Sequence, residues 1–151
     1  MVKAKDFLNF LCGNLDYRFF SGVPCPGLDP LYKSMNSKFM HYIPAANERL
    51  AMGMVSGAYI SGLKGGILID MKYSYDLTSL FNFNINNRIP FLVIGYTDDE
   101  DANLAYDFPK LILSDNYKEE LAKIALLSET KSVPGLVLIG KGLLTWKDIL
   151  H

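Results

Sequence analysis

Across residues 50–63 the chain carries no charged side chain, and this stretch limits what it can fold into more than any other. Leu50, Met54 and Ala58 recur every four residues, as do Ala51 and Val55, which is the spacing of a helix. Gly53, Ser56, Gly57, Ser61 and Gly62 add small surfaces for close packing. A helix apolar nearly all round belongs inside an assembly. It is too short to span a bilayer, which takes about 20 apolar residues. Asn47 is a favoured cap residue, so the helix is predicted to start there with Glu48 in its first turn, where unpaired backbone N–H groups and the helix dipole favour a carboxylate. Two readings of Glu48 stand side by side. It stabilises a helix start from the surface, or it is half-buried among Ala45, Ala46, Leu50 and Ala51 and exchanges a proton there.

A length of 151 residues fits one domain with a sizeable core. Half the residues are hydrophobic and the net charge is -1, which excludes a basic nucleic-acid groove. Cys12 and Cys25 have no metal-ligand spacing, and His41 and His151 lie far apart, so no metal site is expected on this chain. The N-terminus lacks an apolar signal core and no membrane-spanning segment follows, so a cytoplasmic location is expected. A mean hydropathy of +0.13 is high for a soluble monomer, which points to apolar surface covered by partner subunits.

Strand and helix patterns alternate along the chain. A helix is predicted over 4–15, with Phe7, Leu8 and Leu11 on one face. A strand over 17–21 ends in the turn cluster Gly22-Val23-Pro24-Cys25-Pro26-Gly27 and feeds a helix over 29–35. A strand over 38–43, stopped by Pro44, precedes the charge-free helix. Then come a buried strand at 67–69, a loop over 70–75, a helix over 76–84 and a strand at 91–94 opened by Ile89-Pro90. An acidic loop over 97–101, a strand at 111–113, a helix over 117–129 and a strand over 135–139 complete the chain. The class is therefore α/β, a mostly parallel sheet with helices on both faces, forming a single domain over 1–151. Ligands of such sheets bind beyond the carboxyl ends of the strands, where the loops 22–27, 44–48 and 70–75 emerge.

The turn cluster is no phosphate loop, having neither the Gly-x-Gly-x-x-Gly order nor a Gly-Lys-Ser/Thr ending. Cys25 within it is a possible nucleophile with no base placed beside it by sequence. Asp98-Asp99-Glu100-Asp101 lacks calcium-loop spacing and is expected to be a solvated loop. Trp146 is expected to anchor packing, and Asn86-Asn87-Arg88 to end a helix.

Taken together, Phe19-Phe20-Ser21-Gly22-Val23-Pro24, His41-Tyr42-Ile43-Pro44-Ala45-Ala46-Asn47-Glu48, Ser56-Gly57-Ala58-Tyr59, Thr78-Ser79-Leu80 and Ile89-Pro90-Phe91-Leu92-Val93-Ile94-Gly95 resemble the pyrimidine-binding domain of thiamine diphosphate-dependent 2-oxoacid decarboxylases. The nearest look is to the sulfopyruvate and phosphonopyruvate decarboxylases. The resemblance runs over residues 17–95, and its most specific part is Ala-Asn-Glu before an uncharged helix. It implies a catalytic role for Glu48: a carboxyl bonded to the pyrimidine nitrogen of thiamine diphosphate favours the imino tautomer, whose freed nitrogen removes the thiazolium proton. It also implies that Gly22, Val23 and Pro24 line the neighbouring wall, that Cys25 faces the reacting region and that Ser74 touches the cofactor.

That family holds the diphosphate and Mg2+ on a second domain through Gly-Asp-Gly and a later Asn. No Gly-Asp-Gly occurs here. The resemblance therefore implies a separate diphosphate-binding subunit bearing that motif, a hetro-oligomeric carboxy-lyase active only with its partner, and a small 2-oxoacid substrate; a carboligase subunit of the same cofactor class or a non-catalytic scaffold or regulatory domain is the alternative. Two departures bear on substrate. Gln-Asn-Ser-Gly of close relatives is replaced by Asp70-Met71-Lys72-Tyr73-Ser74-Tyr75, in which the serine alone persists. Gly-Trp-Arg-Gly is replaced by Gly95-Tyr96-Thr97-Asp98, an acid where an arginine would suit a phosphonate or sulfonate tail. Lys72 is the substitute anion-binding residue the sequence offers. A flavodoxin-like small-ligand binder accounts for the fold without using the Ala-Asn-Glu helix.

Overall fold

The computed structural model describes residues 1–35, 40–99, 102, 104 and 107–145. In chain order these form β1 (Val2–Lys3), α1 (Ala4–Asn9) continued by a π turn at Phe10–Asn14, β2 (Phe19–Gly22), a 3-10 turn at Pro26–Leu28, α2 (Asp29–Ser34), β3 (His41–Pro44) and α3 (Glu48–Ile60). There follow β4 (Gly65–Asp70), a 3-10 segment Met71–Leu77, α4 (Thr78–Asn86), β5 (Leu92–Thr97), β6 (Lys110–Ile112), α5 (Tyr117–Lys131), β7 (Gly135–Gly140) and β8 (Leu144–Thr145).

Six strands form one sheet in the order β3-β2-β4-β5-β7-β6, every pair parallel. Successive side chains of a strand point to opposite faces, and here both faces are covered. Leu68, Ile94 and Val137 join Leu8, Leu31 and Leu121 from α1, α2 and α5 on one face. Ile67, Ile69 and Val93 join Met52, Val55 and Phe81 from α3 and α4 on the other. Each such buried side chain contributes about 1.5–3 kcal/mol relative to leaving it in water.

The two layers follow from the hand of the crossovers. Parallel strands are joined right-handedly, so a helix changes face when the chain reverses direction across the sheet. The steps β2 to β3 and β6 to β7 run one way, and their helices α2 and α5 share a face. The steps β3 to β4 and β4 to β5 run the other way, and α3 and α4 lie opposite. Buried Ser56 and Asn84 tie α3 to α4, the serine hydroxyl lying 2.7 Å from Asn84 Oδ1.

The fold class and alternation agree with the sequence reading, and several boundaries do not. Residues 70–75 are no plain loop, because Asp70 Oδ1 accepts from Lys72 N at 3.2 Å and starts a 3-10 segment. Pro44 ends β3 from within the strand; it can do so on an edge strand. Lys38, Glu100, Asp101, Trp146 and His151 lie outside the described residues. The short parallel pair β1–β8, which ties the chain's beginning to residues 144–145, carries no signal at two residues each. Within this chain α3 is covered on one face alone: Ala51, Met52, Val55 and Ser56 are buried, while Leu50 is 50% exposed and Ile60 71%. No helix among the described residues is long and apolar enough to cross a membrane.

Candidate functional site

The chain leaving β2 turns to the α2 face, and the chain leaving its neighbour β4 turns to the α4 face. Between such strand ends a crevice is expected. The three loops expected to frame a site meet at this edge.

Gly22 ends β2, paired with Pro44 of β3 and Leu68 of β4. A side chain on Gly22 would strike the Leu68 carbonyl, so glycine is required for strand approach here. Ser21 Oγ donates to Ile43 O at 2.7 Å and Ala45 N to Gly22 O at 2.9 Å, which binds the 44–48 loop to the end of β2. Val23 is half-buried and Pro24 exposed. The Tyr32 hydroxyl lies near both loop backbones, 3.5 Å from Val23 O and 3.4 Å from Cys25 N.

Cys25 is 8% exposed, and burial pushes its thiol up from the ordinary range. A nucleophilic cysteine needs the opposite shift, toward thiolate. The loop therefore presents Cys25 as packing and backbone.

Glu48 opens α3. Asn47 stands in extended backbone and its Oδ1 accepts from Leu50 N at 2.9 Å, the N-cap expected from sequence. Glu48 is half-buried, and its carboxylate makes no hydrogen bond or ion pair among the described residues. Its neighbour Arg49 reaches across to Asp76 O, with Nη2 at 3.2 Å, and joins the start of α3 to the 3-10 segment. Of the residues expected to surround Glu48, Ala51 is buried and Ala45 half-buried while Ala46 and Leu50 are exposed, and the cap geometry serves both readings of Glu48.

Ser74 sits on that segment, buried, with Oγ donating to Met71 O at 2.8 Å. Its hydroxyl proton is thus committed to the turn. Lys72 Nζ lies 3.6 Å from Asp70 Oδ2 and over the ring of Tyr73, so its charge is partly met within the loop.

Asp70, Met71, Lys72, Ser74 and Tyr75 together with residues 96–99 line a cleft of about 440 Å³ at the ends of β4 and β5. Tyr96 is the wall that sequence reading missed. Its ring lies where any side chain on residue 27 would be, so Gly27 lets Tyr96 close against the Gly22–Cys25 turn. The Gly27 position was the available signal. Glu48 and Gly22 do not line this cleft. Among the described residues no three His, Cys, Asp or Glu side chains form a group able to hold a metal ion.

These features define a doubly wound, parallel α/β domain in which a carboxylate without a partner among the described residues opens the helix that follows the edge strand β3. The fold is similar to part of a chain of 2-oxoglutarate:ferredoxin oxidoreductase from Magnetococcus marinus, solved with 2-oxoglutarate, coenzyme A and succinyl-CoA bound. The TM-score is 0.70 at 15% identity, over 94% of this chain and 29% of that one. The likeness establishes the fold, and the chain spans less than a third of its neighbour's length. No protein-family model matches the sequence, and no curated protein sequence does.

Proposed function

We propose that this chain is the pyrimidine-binding subunit of a two-subunit thiamine diphosphate-dependent 2-oxoacid enzyme, a decarboxylase of the sulfopyruvate or phosphonopyruvate kind. The observation that carries this reading is Glu48: half-buried, without a hydrogen bond or ion pair among the described residues, at the start of a capped helix that follows β3 on the loop tied to the end of β2. The sequence resemblance implies a cofactor-activating acid at that residue. The structural neighbour acts on a 2-oxoacid, the same substrate class.

The residues present fit the pyrimidine end of the cofactor. A carboxylate without a hydrogen-bond partner among the described residues can share a proton with a ring nitrogen, and half-buried Val23 with exposed Pro24 offers an accessible wall, the space beside Gly22 being filled by the Leu68 carbonyl. When bound, thiamine diphosphate supplies carbanion stabilisation at the 2-oxoacid carbonyl. The chain's own part is to hold a proton at the Glu48 carboxyl, to orient the ring against Val23 and Pro24 and, with a subunit closed over the site, to keep water out. The diphosphate and Mg2+ would rest on that second subunit. The exposed apolar face of α3, with Leu50, Gly53, Gly57 and Ile60, gives it a place to close.

Co-purification from the native host tests the assembly, and the expected companion carries Gly-Asp-Gly and a downstream Asn. In the reconstituted complex, Glu48→Gln keeps assembly and lowers turnover by roughly 100-fold or more, the scale of a lost proton-transfer group. Full turnover in that variant would remove the catalytic reading.

One observation favours a second reading, a scaffold or regulatory domain. Asp70, Lys72 and Ser74 are engaged within their own turn, leaving the altered loop little to offer an anionic substrate. That reading expects Glu48→Ala to leave the partner's activity unchanged.

A further inference from the structure

A second crevice lies at the same edge of the sheet; it shares Thr97 and Asp98 with the first cleft, and Glu48 does not line it. The chain leaving β5 runs to the α4 face, where Leu104 and Phe108 pack; the chain leaving the adjacent β7 runs to the opposite face, where Leu143 and Leu144 pack. Neighbouring strands whose continuations part in this way leave a ligand-sized gap. Here it measures about 500 Å³, within the range of small-molecule sites.

Its composition is specific. Leu113 and Leu138 are buried in its floor and Ile112 and Leu143 in its walls present apolar surface. Two charges of opposite sign stand at the mouth, Asp98 after β5 and Lys141 after β7. They do not pair with each other, and Lys141 forms no ion pair or hydrogen bond among the described residues. Both are held on ordered turns. The Tyr96 hydroxyl donates to Asp98 Oδ1 at 3.0 Å, and Thr97 Oγ1 bonds both the N–H and the carbonyl of Asp99 at 3.0 Å. Lys141 sits between Gly140 and Gly142, the latter at φ +72°.

We infer that this crevice binds a free hydrophobic α-amino acid, with its carboxylate on Lys141, its ammonium on Asp98 and its side chain on the leucine floor. A plain carboxylate would meet Asp98 as a like charge and a plain amine would meet Lys141 as one, so the pair selects for a ligand carrying both signs.

The test titrates L-leucine and L-phenylalanine into the full chain, following methyl NMR signals of Leu113, Leu138 and Leu143 and the heat of binding. The controls are 4-methyl-2-oxopentanoate and 3-methylbutylamine, which keep the leucine side chain with one charge each. The expected result is a Kd of about 1 mM or tighter for at least one amino acid, shifts confined to those methyls, and binding of both controls roughly tenfold weaker. Asp98→Asn should weaken leucine and narrow its advantage over the oxoacid, and Lys141→Gln should narrow its advantage over the amine. Both substituted side chains are exposed, so melting curves should not move. Absence of amino-acid binding at about 10 mM, equal binding of the oxoacid, or binding unaffected by both substitutions would overturn the inference.

Discussion

A carboxylate at the first turn of a helix is held by the residue in front of it. Asn47 satisfies Leu50 N, and through that bond it sets the direction in which Glu48 leaves the backbone. Asn47→Ala is expected to lower stability by about 1 kcal/mol, the usual loss for a cap, in urea unfolding of the isolated chain. If Glu48 acts as proposed, the same substitution lowers turnover of the complex more than it lowers the melting temperature would suggest. Cys25 makes a contrasting case. Its buried thiol ionises less readily than one in water, so alkylation by iodoacetamide at pH 8 should be slower in the native chain by on the order of tenfold or more than in the unfolded chain, read by peptide mass mapping. Rapid alkylation of native Cys25 would restore it as a nucleophile. At this scale Asn47, and the place of Glu48 in the first turn, were legible in the sequence because capping is local chemistry. The engagement of Ser74 with Met71 O was not, since it depends on a 3-10 segment that Asp70 starts.

Among the elements, α3 behaves as two half-helices laid back to back. Its inner face holds Ala51, Met52 and Val55 against the sheet; on its outer face a side chain at Gly53 or Gly57 would meet open space. Within the isolated chain, Gly57→Ala should therefore stabilise by about 0.5–1 kcal/mol by stiffening an exposed helix position. Gly57→Leu should leave the fold intact and prevent co-purification of the partner, because the bulk stands where close helix approach is expected. Retained assembly in Gly57→Leu would place the interface elsewhere. The charge-free pattern was evident from sequence, and so was the helix. That half of the helix would remain uncovered in the chain itself depends on how the sheet is ordered, with β3 at an edge and α3 crossing back over β2.

The whole molecule is expected to be sensitive to alkali. Burial raises the phenols of Tyr17 and Tyr32 above the ordinary tyrosine range, Glu129 adding to the effect at Tyr17 and Cys25 at Tyr32. The folded chain therefore keeps protons that the unfolded chain releases from about pH 10 upward. Stability is fully present below that pH and falls as pH rises toward the folded values. Denaturation midpoints measured between about pH 8 and pH 11 should decline, and Tyr17→Phe should flatten the decline; a pH-independent midpoint would show the phenols to be hydrated in the folded state.

What the sequence by itself determined is local and periodic: the α/β class, the order of elements, the cap at Asn47 and the alternation that turns Leu68 to one layer and Ile67 and Ile69 to the other. These follow from backbone geometry, which repeats over a few residues and is written into neighbouring side chains. Tertiary structure alone decided the strand order β3-β2-β4-β5-β7-β6 and with it the two crevices, the closure of Tyr96 over Gly27, and the meeting of Asp98 and Lys141 around one apolar floor. Each of these joins residues far apart along the chain, and a period of two or of 3.6 says which way a side chain faces without saying which strand lies beside it.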